Sequence, residues 1–309
     1  MPEVAVAVIS FQTREQLRAC LASLEGQAAA PEGRAEVWVV DNGSTDGSPE
    51  MVREQFAWAR LVEPGANLGY GAAVNLVAAR TDTPWLAAAN ADVALEPGAL
   101  EALLRAGRED PGAGAVAPRL ILPDGRTEHG VHPFPGLLFT AAFALGLTRP
   151  FGDQLCLEGA WDPERPRRVP WAIGAFLLLR REAWQAAGGF DERQWLFAED
   201  LDLGWRLRRA GWATRYEPSA RVRHTGSAAT GAAFGDERTE RWQLATYAWL
   251  LRRRGVVVTR LTALLNVLGA AARAALTRDQ SRRRIHARWA RLHARTGLLT
   301  ARHALRQVR

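Results

Sequence analysis

Short apolar runs alternate with stretches of helical period along the first 120 residues. Val4–Ile9 is an unbroken run of valine, alanine and isoleucine, and Thr13–Glu25 follows with apolar residues at helical spacing. A second run, Glu36–Val40, leads into the turn-rich DNGSTDGS at 41–48 and then a helix over Pro49–Phe56. Next come a short strand near Leu61–Val62, a Gly/Asn loop and a helix through about Arg80. Pro84–Ala89 reads as a buried strand ending at Asn90-Ala91-Asp92, and Pro97–Ala106 as a helix with proline near its start. This repetition predicts an α/β fold, a Rossmann-like and mostly parallel sheet with helices on both faces. Such sheets bind ligands beyond the carboxyl ends of their strands, where Asp41 and Asp92 stand.

Residues 123–168 are rich in Pro, Gly and Arg and are expected to form an irregular excursion over the site. Val169–Arg180 is read as one strand, Glu182–Ala187 as a short helix stopped by Gly188-Gly189, and Leu201–Ala210 as a helix. Strands follow near Ala213–Tyr216 and Ala220–Arg223, and two or three amphipathic helices from Glu237 onward. There is no internal repeat.

Composition narrows the class. Of 309 residues, 48% are hydrophobic and 24% charged, which describes a folded protein rather than a disordered one. No run of 18 apolar residues is free of charge, so no membrane-spanning helix is expected. The start lacks a basic segment and cleavage site, so no secretory signal is expected either. Cys20 and Cys156 are too few for a disulfide framework, and reduced thiols in a cytoplasmic chain are the expectation. All 40 basic residues are arginine. From Asp236 to Arg309 there are 17 Arg against four acids, a net of +13, whereas residues 1–235 carry −6. An acidic body with a basic tail suggests a negatively charged surface as partner.

Neither a P-loop nor a G-x-G-x-x-G opening a helix after the first strand is present, so NTPase and dinucleotide dehydrogenase readings lack support. The candidate chemistry lies in acids. Asp41 and Asp92 have a plain structural reading as turn or cap residues. Glu199, Asp200 and Asp202 open a helix, where acids complement the dipole, and Asp202 has Arg206 four residues on. Glu199 and Asp200 also follow the apolar-aromatic Trp195-Leu196-Phe197-Ala198, which suits a carboxylate of raised pKa acting as a base. His224 ends a strand and reads either as a hydrogen-bonded histidine or as a ligand.

The order of these blocks resembles the inverting family 2 glycosyltransferases of GT-A fold, within them the rhamnosyltransferase-like branch. The likeness runs from Val4 to about Ser227 and rests on Ser10-Phe11, VVDNGSTDGS (39–48), NLGYGAAVN (67–75), AANADV (88–93), WAIGAFLLLRR (171–181), GGFDE (188–192), FAEDLDLGWRLRRAGW (197–212) and VRHTG (222–226). It implies a GT-A nucleotide-diphospho-sugar transferase fold over 1–235, with a nucleotide-sugar-binding half of about 1–120 and an acceptor-side half of about 121–235. A basic α-helical extension over 236–309 completes the chain. Asp41 would accept from the ring N–H of a pyrimidine base, with Ser10 and Asn42 beside it. Asn67, Gly69 and Asn75 would shape the loop and helix at the nucleotide. The family's D-x-D reads Asn90-Ala91-Asp92 here, which implies Asp92 as metal ligand and Asn90 near the ribose. His224 would complete coordination of Mg²⁺ or Mn²⁺. Asp200 would be the general base, with Glu199 its partner in the ED motif, and Gly174-Ala175 the turn near the donor sugar. Asp124-Gly125 through Phe134-Pro135 resemble a stretch of the rhamnosyltransferase-like branch.

The implied reaction moves a sugar, with dTDP-L-rhamnose the leading donor, to a cell-surface polysaccharide or lipid-linked glycan. A UDP-hexose or UDP-galactofuranose donor is the alternative within the class, and a non-catalytic nucleotide-sugar-binding protein the alternative outside it. In the tail, Arg252-Arg253-Arg254, Arg260, Arg273 and Arg282-Arg283-Arg284 flank Leu261–Ala272, twelve residues without charge. An amphipathic helix at the cytoplasmic face of an anionic membrane fits that pattern. The competing reading packs these helices on the catalytic domain. Nucleic acid is not an expected partner, since no RNA-binding motif is present.

Overall fold

The computed structural model describes residues 2–28, 34–226 and 237–299. Its first elements are β1 (Val4–Ser10), α1 (Arg14–Ala28), β2 (Ala35–Asp41), α2 (Ser48–Gln55), β3 (Arg60–Val62), α3 (Tyr70–Ala78), β4 (Trp85–Asn90), β5 (Val93–Leu95), α4 (Ala99–Glu109) and β6 (Ala113–Ile121). They are followed by β7 (Val131–His132), α5 (Leu137–Ala144), β8 (Arg167–Val169), β9 (Trp171–Ala172), β10 (Phe176–Arg180), α6 (Arg181–Ala187), α7 (Glu199–Arg209) and β11 (Ala213–His224). Helices α8 (Arg238–Leu276) and α9 (Gln280–His293) and a π-helical turn over Ala294–Leu299 close the described chain. The described residues group into two compact units. One draws on Met1–His132, Asp162–Trp195 and Glu199–Gly235, the other on Pro133–Trp161, Leu196–Ala198 and Asp236–Arg309. The boundary expected between 235 and 236 lies outside the described residues.

In the first unit the main sheet of described strands runs β3-β2-β1-β4-β10-β6-β11-β5, with β8 paired to β11, while β7 and β9 form a separate ladder. The nucleotide half is parallel, as β1 pairs in parallel with β2 and β4, and β2 with β3. β10 then inserts antiparallel between β4 and β6. All seven residues of β1 are buried, which explains why it reads as an unbroken apolar run instead of an alternating one. α4 covers the sheet with Leu100, Leu103, Leu104 and Gly107, a stripe at helical spacing, and turns Arg105 and Arg108 outward.

One carboxylate ties α1 to α2. Asp46 Oδ2 accepts from the Arg14 N–H at 2.9 Å, and its Oδ1 accepts from the Ser48 N–H at 3.1 Å and the Ser48 hydroxyl at 2.6 Å. The turn-rich 41–48 segment thereby starts both helices and holds the ends of β1 and β2 level, Ser10 opposite Asp41.

Two expected strands are corrected. Val169–Arg180 is not continuous: Pro170 has no N–H to offer, the Gly174 N–H is taken by Asp200, and β10 starts only at Phe176. Ala213–Tyr216 and Ala220–Arg223 are instead one strand, β11, whose register with β6 shifts between Glu217 and Arg221, around Pro218. The excursion is also more regular than expected, since it holds β7 and α5.

In the second unit α8 is broken at Gly255, whose φ of 81° and ψ of 169° lie outside the helical range. The chain doubles back there. Tyr247 on the first arm meets Asn266 on the second (3.2 Å) and His293 on α9 (2.9 Å) through its hydroxyl. No membrane-spanning helix was expected, yet by length and composition alone α8 is long and apolar enough to cross a membrane. Most of its apolar stretch is not covered by the rest of the protein. The expectation required a charge-free window, but long arginine side chains can carry a charge out of an apolar surface.

Candidate active site

The site gathers at the carboxyl ends of β1, β2 and β4. Asp41 is almost fully buried, and its Oδ2 accepts from the N–H groups of Ser44 (2.7 Å) and Gly43 (3.2 Å). Its Oδ1 is equally buried and has no hydrogen-bond partner among the described residues. An acceptor left open in this way is costly unless a ligand completes it. Ser10, opposite it, is fully buried and accepts from the Asn42 N–H through its carbonyl at 2.8 Å.

Asn42 positions the next loop. Its Oδ1 accepts from the Leu68 N–H at 3.3 Å, its Nδ2 donates to the Gly69 carbonyl at 3.4 Å, and Asn67 Oδ1 takes the Gly69 N–H at 2.9 Å. Gly69 has φ +81°, and a Cβ there would lie 2.4 Å from the Trp195 carbonyl oxygen. No side chain fits that position. Asn75 is engaged on the 188–192 turn: its Oδ1 accepts from Phe190 N–H at 2.9 Å, and its Nδ2 donates to Phe190 O and Glu192 Oε1, both at 3.0 Å.

Glu199 and Asp200 occupy the first turn of α7. The two residues before them, Phe197 and Ala198, take φ of 61° and 60°, strained values for side chains of any size. Asp200 Oδ2 accepts from the Gly174 N–H at 3.0 Å and its Oδ1 from the Leu201 N–H at 2.7 Å. Burial raises the Asp200 carboxyl above its ordinary value while these backbone donors pull it back. Glu199 is raised by burial and by the neighbouring Asp200 charge, and its Oε2 finds no partner among the described residues. Both carboxyls are thus raised by burial, and the two backbone N–H donors on Asp200 favour its charged form. The Gly174 carbonyl accepts from the Tyr70 hydroxyl at 2.5 Å. That hydroxyl is held well above its usual range by burial and then by the charges of Glu199, Asp200 and Asp92. Ala175 is buried beside this turn, and its carbonyl accepts from the Asn90 N–H at 2.9 Å.

β11 brings His224 to Asp92, its neighbour Thr225 donating from N–H to the Asp92 carbonyl at 3.1 Å. His224 Nε2 lies 3.3 Å from Asp92 Oδ1, and Nδ1 lies 2.6 Å from Glu128 Oε2. Burial lowers the imidazole pKa, but the two carboxylates outweigh it and push the value up to about 9. With Nδ1–H given to Glu128, Nε2 turns a lone pair toward a carboxylate, so the gap between them calls for a positive particle, either a proton or a metal ion. Among the described residues no three His, Cys, Asp or Glu side chains form a closed metal cluster. Two protein donors alone would leave most coordination positions of a divalent cation open to other oxygen ligands.

Two residues of this site, Tyr70 and Glu128, and one buried side-chain amide elsewhere, Gln194, were not singled out from the sequence. Tyr70 sits inside the NLGYG block but reads as a helix core residue. Glu128 belongs to the excursion, and nothing local links it to His224, 96 positions away. Gln194 is 1% exposed, with neither amide atom hydrogen-bonded among the described residues. It carries no motif signal.

A family profile described as "Glycosyl transferase family 2" matches residues 5–183, and one described as "Glycosyl transferase family group 2" matches residues 163–296. This chain is a family 2 glycosyltransferase. It is 35% identical over 276 residues to the N-acetylglucosaminyl-diphospho-decaprenol L-rhamnosyltransferase of Mycobacterium tuberculosis, a match covering 80% of this chain and 88% of that protein. Among solved structures, a Pyrobaculum calidifontis mannosyltransferase in complex with GDP-Man and Mn²⁺ aligns at TM-score 0.58 and 17% identity, over 95% of this chain and 84% of its own. GalNAc-T7 with UDP, GalNAc and Mn²⁺ aligns at TM-score 0.54 and 12% identity, over 79% and 50%. At those identities the likeness bears on fold alone, and the glycosyltransferase has the GT-A fold its sequence predicts.

Proposed function

We propose that this glycosyltransferase moves L-rhamnose from dTDP-L-rhamnose, with inversion, onto a hydroxyl of a lipid-linked or polymeric cell-surface glycan. The 35% identity to a decaprenol-linked rhamnosyltransferase over 80% of the chain carries the choice of sugar and acceptor class. In this reading residues 1–235 form the catalytic domain, and the open Asp41 Oδ1 takes the ring N–H of thymine. Asn42, Asn67 and Gly69 hold the loop beside the nucleotide, with Ser10 and Asn90 lining the strand ends. Asn75 braces the 188–192 turn. Asp92 and His224 would hold a divalent cation, Mg²⁺ or Mn²⁺, which would supply positive charge against a departing nucleoside diphosphate. Asp200, ionised and aimed by the Gly174 and Leu201 N–H groups, withdraws the proton of the acceptor hydroxyl. Glu199 stays protonated, so a second negative charge does not crowd the base.

The basic region 236–309 docks this enzyme on the cytoplasmic face of an anionic membrane, where nucleotide-sugar and lipid-linked acceptor meet. The test is transfer to a polyprenyl-diphosphate-linked acceptor from dTDP-L-rhamnose, UDP-hexose and UDP-galactofuranose in parallel, with Mg²⁺ or Mn²⁺. Preferred transfer from either UDP-sugar would overturn the donor. Donor binding with neither transfer nor hydrolysis would make the protein a binding module.

A further inference from the structure

The first arm of α8 buries Trp249 and Leu250 as a water-soluble helix does, but part of the second unit is built inside out. On the arm of α8 after Gly255, Val257, Leu261, Leu264 and Leu268 fall on one stripe at helical spacing, and all four are exposed. The opposite stripe, Thr259, Thr262, Ala263 and Ala270, is buried. Small and hydroxyl-bearing residues therefore face the protein while the large aliphatic ones face outward. Water selects the reverse arrangement, and small inward residues with aliphatic outward ones are what a lipid environment selects.

The stripe does not stop at α8. α5 packs on the same arm: a Cβ on Gly269 would meet Ala144 at 2.9 Å, and the Arg273 guanidinium lies 5.2 Å over the Phe143 ring. α5 and the turn after it repeat the inversion, with Thr140 and Thr148 buried while Leu138 (89% exposed), Leu145 (74%) and Leu147 (61%) stand out. An apolar surface of this extent marks a partner. Its setting names the partner as anionic lipid: Arg260 lies within the stripe, Arg254 ends the first arm, and Arg282, Arg283 and Arg284 are exposed at the start of α9.

The geometry points to a membrane-embedded face made jointly by α5, the 145–147 turn and the second arm of α8, lying in the plane of an anionic bilayer at the boundary between headgroups and acyl chains. α5, at about 1.5 Å per residue over one short helix, cannot cross a bilayer, yet it shares the apolar surface. Arg260 reaches the headgroups from a helix lying in the interface, whereas a spanning helix would draw it into hydrocarbon. The inference deepens the docking part of the proposed function by assigning the contact to the excursion as well as the tail.

The test is flotation of the full chain with vesicles of phosphatidylcholine alone or mixed with phosphatidylglycerol. Two double variants are compared with the parent, Leu264→Glu with Leu268→Glu, and Leu145→Glu with Leu147→Glu. All four positions are exposed, so circular dichroism and the unfolding midpoint should stay put. Each pair should lower partition onto phosphatidylglycerol vesicles by about tenfold or more. Hydrolysis of dTDP-L-rhamnose in solution is measured alongside, so a wrong donor assignment leaves the partition result intact. Unchanged partition of the Leu145/Leu147 variant would remove α5 from the surface. Equal partition onto phosphatidylcholine alone would reject the anionic partner. A parent dimer that both pairs convert to monomer would assign the face to a second copy, and resistance of the parent to alkaline carbonate extraction would reject the in-plane placement.

Discussion

β1 and the second arm of α8 are both apolar segments, yet they bury opposite things. β1 sends all seven of its residues inward and leaves nothing for solvent. The α8 arm tucks away Thr259 and Thr262 and presents its leucines outward. The same contrast holds for buried polar groups. In the sheet unit Asp41, Asp92 and His224 are buried at strand ends and Glu199 at the start of a helix, where the proposed chemistry would take place. In the second unit buried polar groups fill the gaps between helices. A buried polar side chain therefore has one meaning where a ligand can complete it and another where packing alone surrounds it.

The contrast is tested most severely at the base. Asp200→Asn should lower kcat about 10²–10⁴-fold with donor binding retained, measured by steady-state transfer and nucleotide-sugar titration. Glu199→Gln should stay within several-fold of the parent, because it resembles the protonated acid. A dead Glu199→Gln beside an active Asp200→Asn would reverse the roles. At the metal position, Asp92→Ala and His224→Ala should each raise the Mn²⁺ concentration needed for half-maximal donor binding by about 10–100-fold. Donor binding by the parent that is indifferent to chelator would refute that.

Gly69→Ala probes the loop joining the two halves of the site. Positive φ and the Trp195 carbonyl together should cost about 1–3 kcal/mol in denaturant unfolding. Glu199 also makes a pH prediction. Its folded pKa is raised above the ordinary 4.5, so its contribution is full below that value and is lost as pH climbs through the raised one. Melts from about pH 4.5 upward should show a flatter decline for Glu199→Gln than for the parent. The smallest effect is expected on the other side of the comparison. The Thr262 hydroxyl is buried with no partner among the described residues, so Thr262→Val should be neutral or stabilising by less than about 1 kcal/mol. A clear loss would mean that buried hydroxyls in this unit are doing more than filling space.

The sequence was most legible where structure is local. β1, β2, β4 and the acids that end them follow from short apolar runs punctuated by turn residues, and the blocks around Asp41, Asp92 and Asp200 fall at strand and helix ends as expected. Pairings across long separations were not legible. Glu128 meets His224 only because β11 carries the histidine across the sheet, and the break at Pro170–Gly174 depends on Asp200 claiming a backbone N–H. Periodicity in Leu261–Ala272 announced an amphipathic helix but could not say which face turns inward, since a stripe of leucines looks the same in a list whether it meets protein or lipid.

The Asp46 carboxylate carries a consequence for how the chain acquires its shape. Its acceptors join Arg14 to the 46–48 turn across 32 positions, and every residue involved precedes Pro49. The parallel pairing of β1 with β2 is likewise complete by Asp41. The loop-closure entropy of the first β-α-β crossover can thus be met by contacts internal to the leading 48 residues. During synthesis that segment can close before the loop of Gly69 or the helix of Asp200 has left the ribosome, giving later strands a formed edge to join.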